Sequence, residues 1–201
     1  MTQTLIHLVR HAEVENPDNI WYGRLEGWVL SERGLRQIAA LGEHFAGTPL
    51  AAVYSSPLTR AMQTSTAIAE RHGLEVQVNE DIIESEAHLQ GLPGDRRLFK
   101  NPANVRYFLN PMRPSWGEPY VSIRARMAQA VAQMRKEHPG EHVVAVSHQT
   151  PVLVARLMFE KNPKPPWRAK VPCQRASVTT LKFEGDEFVG TDYLPVGSSI
   201  A

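Results

Sequence analysis

Three times along this chain a short apolar run ends abruptly in polar residues, and a helical pattern lies further along. Leu5-Ile6-His7-Leu8-Val9 stops at Arg10-His11. Ala51-Ala52-Val53-Tyr54 runs into Ser55-Ser56-Pro57, and His142-Val143-Val144-Ala145-Val146 ends at Ser147-His148. Runs this short and this apolar suit strands buried in a sheet. Strand followed by helix, repeated, predicts an α/β fold. In an open α/β sheet, ligands bind outside the carboxyl ends of the strands. Arg10, His11, Arg60 and His148 all fall at or just past such ends, so residues far apart in sequence are expected to meet there.

The intervening segments read as helices with local punctuation. Ser31 offers an N-cap, and Leu35, Ile38, Gly42 and Phe45 recur at helical spacing to about His44. After the second strand, Ser56 reads as an N-cap, Pro57 as the first helical residue and Gly73 as the stop. Leu58, Ala61, Ser65 and Ile68 form its inward face, and Arg60 lies in its first turn. Ile123, Met127, Ala130, Val131 and Met134 mark an amphipathic helix that ends before Pro139-Gly140, and a further helix runs from about Pro151 to Phe159. Glu75 to Val78 suits a short strand. Ser177 to Phe183 and Glu187 to Leu194, around Gly185-Asp186, read as a hairpin at a sheet edge. From Glu84 to Pro119 the periodicity fades, and Arg96, Arg97, Lys100, Arg106 and Arg113 accumulate. Residues 85–120 are therefore read as an insertion, either facing a substrate or lying on the surface.

At 201 residues, with 42% hydrophobic and 21% charged side chains, the chain is expected to form one globular domain over residues 1–201. A formal net charge of +1 calls for neither nucleic acid nor an anionic membrane as partner. Cys173 is the one cysteine, so there is no internal disulfide and no cysteine zinc spacing. The first residues lack a signal-peptide pattern, and no apolar run approaches the roughly 18 residues of a membrane span. A soluble cytoplasmic enzyme is the expected class.

Two histidines and two arginines around one cleft suit an anion better than a metal cation, which the fixed guanidinium charges would repel. Arginine meets phosphate oxygens in a bidentate fork, and a helix N-terminus adds backbone N–H groups. A neutral imidazole among arginines keeps its lone pair and is a competent nucleophile. Phosphoryl transfer asks mainly for in-line positioning and for neutralisation of the equatorial oxygens. The leaving alkoxide needs a proton, for which Glu84, after the apolar pair Ile82-Ile83, is the first candidate, with Glu86 and Glu13 behind it.

Four blocks then carry a family resemblance. Leu8-Val9-Arg10-His11-Ala12-Glu13 resembles the Leu-x-Arg-His-Gly-Glu signature of the histidine phosphatase superfamily, in its phosphoglycerate mutase-like branch. Ser55-Ser56-Pro57-Leu58-Thr59-Arg60-Ala61-Met62-Gln63-Thr64 is similar to that family's Ser-Ser-Pro-Leu-x-Arg-Ala-x-Gln-Thr block. Val146-Ser147-His148 resembles the strand end with its second histidine, and Trp116-Gly117-Glu118-Pro119-Tyr120 its Gly-Gly-Glu-Ser-Tyr segment. The blocks occur in family order. The resemblance implies a three-layer α/β/α sandwich with a mostly parallel sheet and an insertion over the active site. It implies His11 as the phosphorylated nucleophile, Arg10, Arg60 and His148 as the phosphate pocket, and Glu84 as proton donor and then activator of water. It also implies no obligatory metal or organic cofactor. Asn16, five positions past His11, and Gln149, where the family has glycine, are further phosphate-pocket candidates; Ala12 replaces another family glycine.

The expected function is therefore a metal-independent phosphomonoesterase acting on a small phosphorylated metabolite. Its alternatives are a mutase returning the phosphoryl group to another hydroxyl, and a catalytically silent phosphate-binding regulatory protein. The metabolite and the oligomeric state, a homodimer included, are left open. His7 is read as packing or sheet edge, His44, His72, His138, His142 and His88 as surface, and Trp21 and Trp116 as core or rim before substrate stacking.

Overall fold

Within the computed structural model, residues 3–108 and 117–200 are described; Arg113 and Trp116 lie outside them. Six strands form one sheet in the order β3-β2-β4-β1-β5-β6, with β1 at Gln3–Arg10, β2 at Leu50–Ser55, β3 at Val76–Val78, β4 at His142–Ser147, β5 at Val178–Glu184 and β6 at Glu187–Leu194. The first four run parallel, and β5 and β6 form the antiparallel edge hairpin anticipated from Gly185-Asp186.

The alternation of side chains along a strand sends successive residues to opposite faces, and both faces are covered. Ile6, Leu8, Val143 and Ala145 pack with α3 (Tyr120–Glu137) and α4 (Gln149–Phe159). Val9, Val53, Val144 and Val146 pack with α1 (Glu32–Phe45) and α2 (Thr59–His72). The result is the three-layer α/β/α sandwich with a mostly parallel sheet. A short α5 (Pro166–Ala169) joins α4 to β5. The inward set Ile123, Met127, Ala130, Val131 and Met134 is buried as the spacing predicts. No helix among the described residues is long and apolar enough to cross a membrane.

Two local expectations need correction. Ser56 does not cap α2 and Pro57 is not its first residue: the helix starts at Thr59 after an extended Leu58, and the Ser56 hydroxyl accepts from the Leu58 amide (3.5 Å) while also meeting His148 Nε2. Arg60 still falls in the first turn, and Gly73 ends the helix in the left-handed conformation, φ +64°. In α1, Ser31 does cap, accepting from the Gly34 amide. The buried face, however, is Gly34, Gln37, Leu41, Gly42 and Phe45, while Leu35 is 52% exposed. Gln37 is buried because both ends of its amide are used: Oε1 accepts from the Glu13 amide and Nε2 donates to the Gly197 carbonyl.

Topology places the site. β2, β4 and β1 are neighbours, and the ladder continues one step past their carboxyl ends. The His11 amide donates to the Ser147 carbonyl (3.0 Å) and the Ser56 amide to the Val146 carbonyl (2.9 Å). His11, Ser56 and His148 are thereby held at one level above the sheet.

Candidate active site

His11 follows β1 directly and is 2% exposed. Its Nδ1 lies 2.7 Å from the Ala12 carbonyl. A carbonyl only accepts, so Nδ1 carries the proton and the lone pair sits on Nε2. Burial, then the charges of Arg60 and Arg10, hold the His11 pKa well below the ordinary histidine value. The imidazole of His148, the residue that caps α4, has its centroid 5.1 Å from that of His11. It is fully buried, its Nε2 lies 2.7 Å from the Ser56 hydroxyl, and burial followed by His11, Arg60 and Arg10 lowers its pKa in the same way.

Arg60, 1% exposed, reaches over from α2. Its Nη2 donates to the Gly23 carbonyl at 2.6 Å and its guanidinium lies 4.7 Å from the Tyr22 ring centroid. Arg10, half-buried, donates Nη1 to the Cys173 carbonyl at 2.7 Å. Three buried nitrogens here have no protein partner: Arg10 Nε, Arg60 Nε and His148 Nδ1. A buried polar group left unpaired costs about 1–3 kcal/mol, so each of the three calls for an acceptor; of their side chains only Arg10 lines the open cavity beside His11.

Arg10 and His11 line a cavity of about 490 Å³ together with Glu84, Glu86, Asn16, Gln149 and Glu118. The Glu84 carboxylate is half-buried on this wall, with Oε1 accepting from the Ser85 amide (2.8 Å). Glu86 is exposed. Glu13, the third acid considered from sequence, is not part of the lining: it bonds Ser31 and pairs with Arg33 and Arg175. Asn16 lines the cavity but spends its side chain on its own loop, giving Nδ2 to the Ile20 carbonyl and accepting from the Ile20 amide. Gln149 stands exposed at the start of α4, on the rim.

Arg96, Arg97, Lys100 and Arg106 are exposed and do not line this cavity; Arg97 is turned back onto Asp95. Their segment reaches the cavity instead through Gly94 and residues 84–87. Trp21, 41% exposed, and Trp167, 45% exposed, also line it, as does Arg175. Trp167 and Arg175 lie after the last strongly patterned helix and carry no local sequence signal. Among the described residues, no group of three or more His, Cys, Asp or Glu is arranged to hold a metal ion. The chemistry open to this arrangement is the binding of a multi-oxygen anion against a neutral, unencumbered imidazole nitrogen.

Comparison with known proteins agrees. The model of the histidine phosphatase superfamily (branch 1) matches residues 6–193. An uncharacterized protein of Mycobacterium tuberculosis is 43% identical over 196 residues, covering 95% of this chain and 96% of its own. Phosphoserine phosphatase 1 of Hydrogenobacter thermophilus is 35% identical over 150 residues, 72% of this chain and 71% of that protein. Among solved structures, the mycobacterial glucosyl-3-phosphoglycerate phosphatase superposes with a TM-score of 0.79 at 25% identity, covering 95% of this chain and 97% of the other.

Proposed function

The chain belongs to the histidine phosphatase superfamily, branch 1, and on that premise we propose that it is a phosphomonoesterase hydrolysing a small phosphorylated metabolite through a phosphohistidine on His11. The observation that carries the proposal is the set of three unpartnered buried nitrogens, Arg10 Nε, Arg60 Nε and His148 Nδ1, gathered about an imidazole whose Nε2 is free to attack. The arginines supply the positive charge that a metal supplies in other phosphatases, so no metal is needed. Residues 1–201 act as one domain, with 85–120 as the substrate-facing insertion.

In the first half-reaction the Nε2 lone pair of His11 attacks phosphorus in line with the ester oxygen. The P–O bond to the substrate breaks, and the departing alkoxide takes a proton from Glu84. Arg10, Arg60 and His148 hold the nonbridging oxygens; Ser56 donates its hydroxyl to His148 Nε2, which leaves the ring proton on Nδ1 for the phosphoryl group. In the second half-reaction Glu84, now a carboxylate, takes a proton from water as the water oxygen attacks phosphorus. The P–N bond breaks, its electron pair returns to Nε2, and inorganic phosphate leaves. Asn16 acts by shaping the wall of the cavity and Gln149 by meeting the substrate at its rim.

The test is a phosphate-release screen over a metabolite library, with the His11→Ala protein as control. Phosphoserine and glycosylated phosphoglycerates are the first substrates to include, because two similar proteins are a phosphoserine phosphatase and a glucosyl-3-phosphoglycerate phosphatase. Isomerisation of 3-phosphoglycerate is assayed alongside. Phosphate release that far outpaces isomerisation supports the hydrolase; the reverse result makes the protein a mutase.

A further inference from the structure

Glu84 stands on residues 81–86, which belong to no strand and carry only a single 3-10 turn, Glu80–Ile82. The backbone of this segment is nonetheless pinned from outside. The carbonyls of Asp81 and Ile83 both accept from Arg126 Nη1, each at 2.6 Å. The Ile82 carbonyl accepts from Ser147 Oγ (2.6 Å), that of Glu84 from Arg24 Nε (2.7 Å), and that of Glu86 from the Glu118 amide (2.9 Å).

The two arginines that grip this segment share one carboxylate. Glu118 Oε1 accepts from Arg126 Nε (3.0 Å) and Ser122 Oγ (2.8 Å); Oε2 accepts from Arg126 Nη2 (3.1 Å) and Arg24 Nη2 (3.0 Å). The Glu118 side chain is 10% exposed and that of Arg126 13%. Burial pushes the Glu118 carboxyl up, but the hydrogen bonds from Arg126 and Ser122 and the charges of Arg126 and Arg24 outweigh it and hold the group below its usual range. A bidentate, mostly desolvated pair of this kind fixes orientation as well as energy. Arg126 lies on α3 and Arg24 on the loop after β1, so the grip ties the acid's segment to two elements far apart in sequence.

We propose that Glu118, through Arg126 and Arg24, is the positioning residue for Glu84: it sets the carboxyl of the general acid against the leaving oxygen. This rests on the reading of Glu84 as the acid. Glu118 itself takes no proton and touches no reacting atom. Its loss lets the segment 81–86 shift, and displacement of a catalytic group by about 1 Å costs on the order of a hundredfold. The cost falls on the step that needs the proton. An activated aryl phosphate, whose phenolate departs without one, is spared.

The experiment measures the rate of phosphoenzyme formation in single turnovers for Glu118→Gln, Arg126→Lys, Glu84→Gln and the double variant Glu84→Gln/Glu118→Gln. Each is assayed with an alkyl phosphate that the wild type hydrolyses and with 4-nitrophenyl phosphate. The expected result is a loss of about ten- to a hundredfold on the alkyl substrate for Glu118→Gln, less than about threefold on the aryl substrate, and no further loss in the double variant. Arg126→Lys, which keeps the charge and the fold but loses the fork, shows the same selectivity to a smaller degree. Equal losses on both substrates, or additive losses in the double variant, overturn the positioning role while leaving Glu84 as the acid. If Glu84→Gln itself shows no preference between the substrates, the acid assignment fails and the role of Glu118 falls with it.

Discussion

The imidazoles of His11 and His148 meet above the sheet with centroids 5.1 Å apart and planes inclined by 59°, both closed off from solvent and both with pKa values held well below the histidine norm. The two rings, both depressed by the charges of Arg10 and Arg60, are held through different nitrogens. His11 is tied through Nδ1 to the Ala12 carbonyl and presents a lone pair; His148 is tied through Nε2 to the Ser56 hydroxyl, and its Nδ1 is buried without a partner. Parallel pairing of β1 with β4 creates this relationship, since Arg10 is in register with Ser147 and each histidine is the next residue along its strand.

Removing the fork of Arg60 while keeping its charge separates geometry from electrostatics. Arg60→Lys cannot both reach the Gly23 carbonyl and present a second nitrogen to phosphate. Turnover is expected to fall by roughly two to four orders of magnitude, the scale of lost transition-state charge stabilisation, with the melting temperature little changed. Steady-state kinetics and a thermal melt check it; a loss below tenfold means the second nitrogen is not needed.

Gly117 is placed where a Cβ would lie 1.9 Å from the Glu86 carbonyl, next to the bridge between Ala87 and Gly117. Gly117→Ala must push the 84–87 wall away from α3. Turnover on alkyl phosphates should drop by at least about tenfold, with a melting temperature lower by only a few degrees. Unchanged turnover would show that this wall does not set the geometry of the acid.

Stability should fall with acid in a defined window. His7 is buried against Phe45, Thr180 and His142, and its pKa is lowered to about 3 by burial first and then by His142 and His44. Between pH ~6.5 and ~3 the unfolded chain binds a proton that the folded chain does not, so stability drops as pH falls through this range. His11 and His148, lowered in the same direction, add to the slope. Each group contributes up to about 1.4 kcal/mol per pH unit. Urea unfolding from pH 7 to pH 4 should show a steeper decline for the wild type than for His7→Gln, and equal slopes would contradict the assignment.

The strand ends were legible because a buried parallel strand is a continuous apolar run and its termination is abrupt. Arg10, His11, Arg60 and His148 followed from that pattern. Leu35 misled the reading of α1, while Ile38 does pack against the core; periodicity equates polar with exposed, whereas Gln37 is buried once both ends of its amide find partners. Ser56 looked like a helix cap because its hydroxyl does meet a local amide, that of Leu58, while its contact with His148 is between residues that sequence keeps far apart. His142, expected at the surface, is half-buried and bonded to His7. Arg126 and Arg24 had no local signature, each reading as an ordinary charged side chain, and Glu118 stood inside a block of family resemblance that gave it no role. Only the return of α3 against residues 81–86 brings them together.

The central claim is the covalent intermediate on His11, and one measurement addresses it directly. Enzyme mixed with a stoichiometric amount of a hydrolysed substrate is quenched in alkali within milliseconds and mapped by peptide mass. Phosphate is predicted on the peptide that carries His11, stable in alkali, lost in acid, and absent from the His11→Ala protein, which also fails to turn over. Continued turnover by His11→Ala, or turnover by the wild type with phosphate on no histidine, would contradict the account.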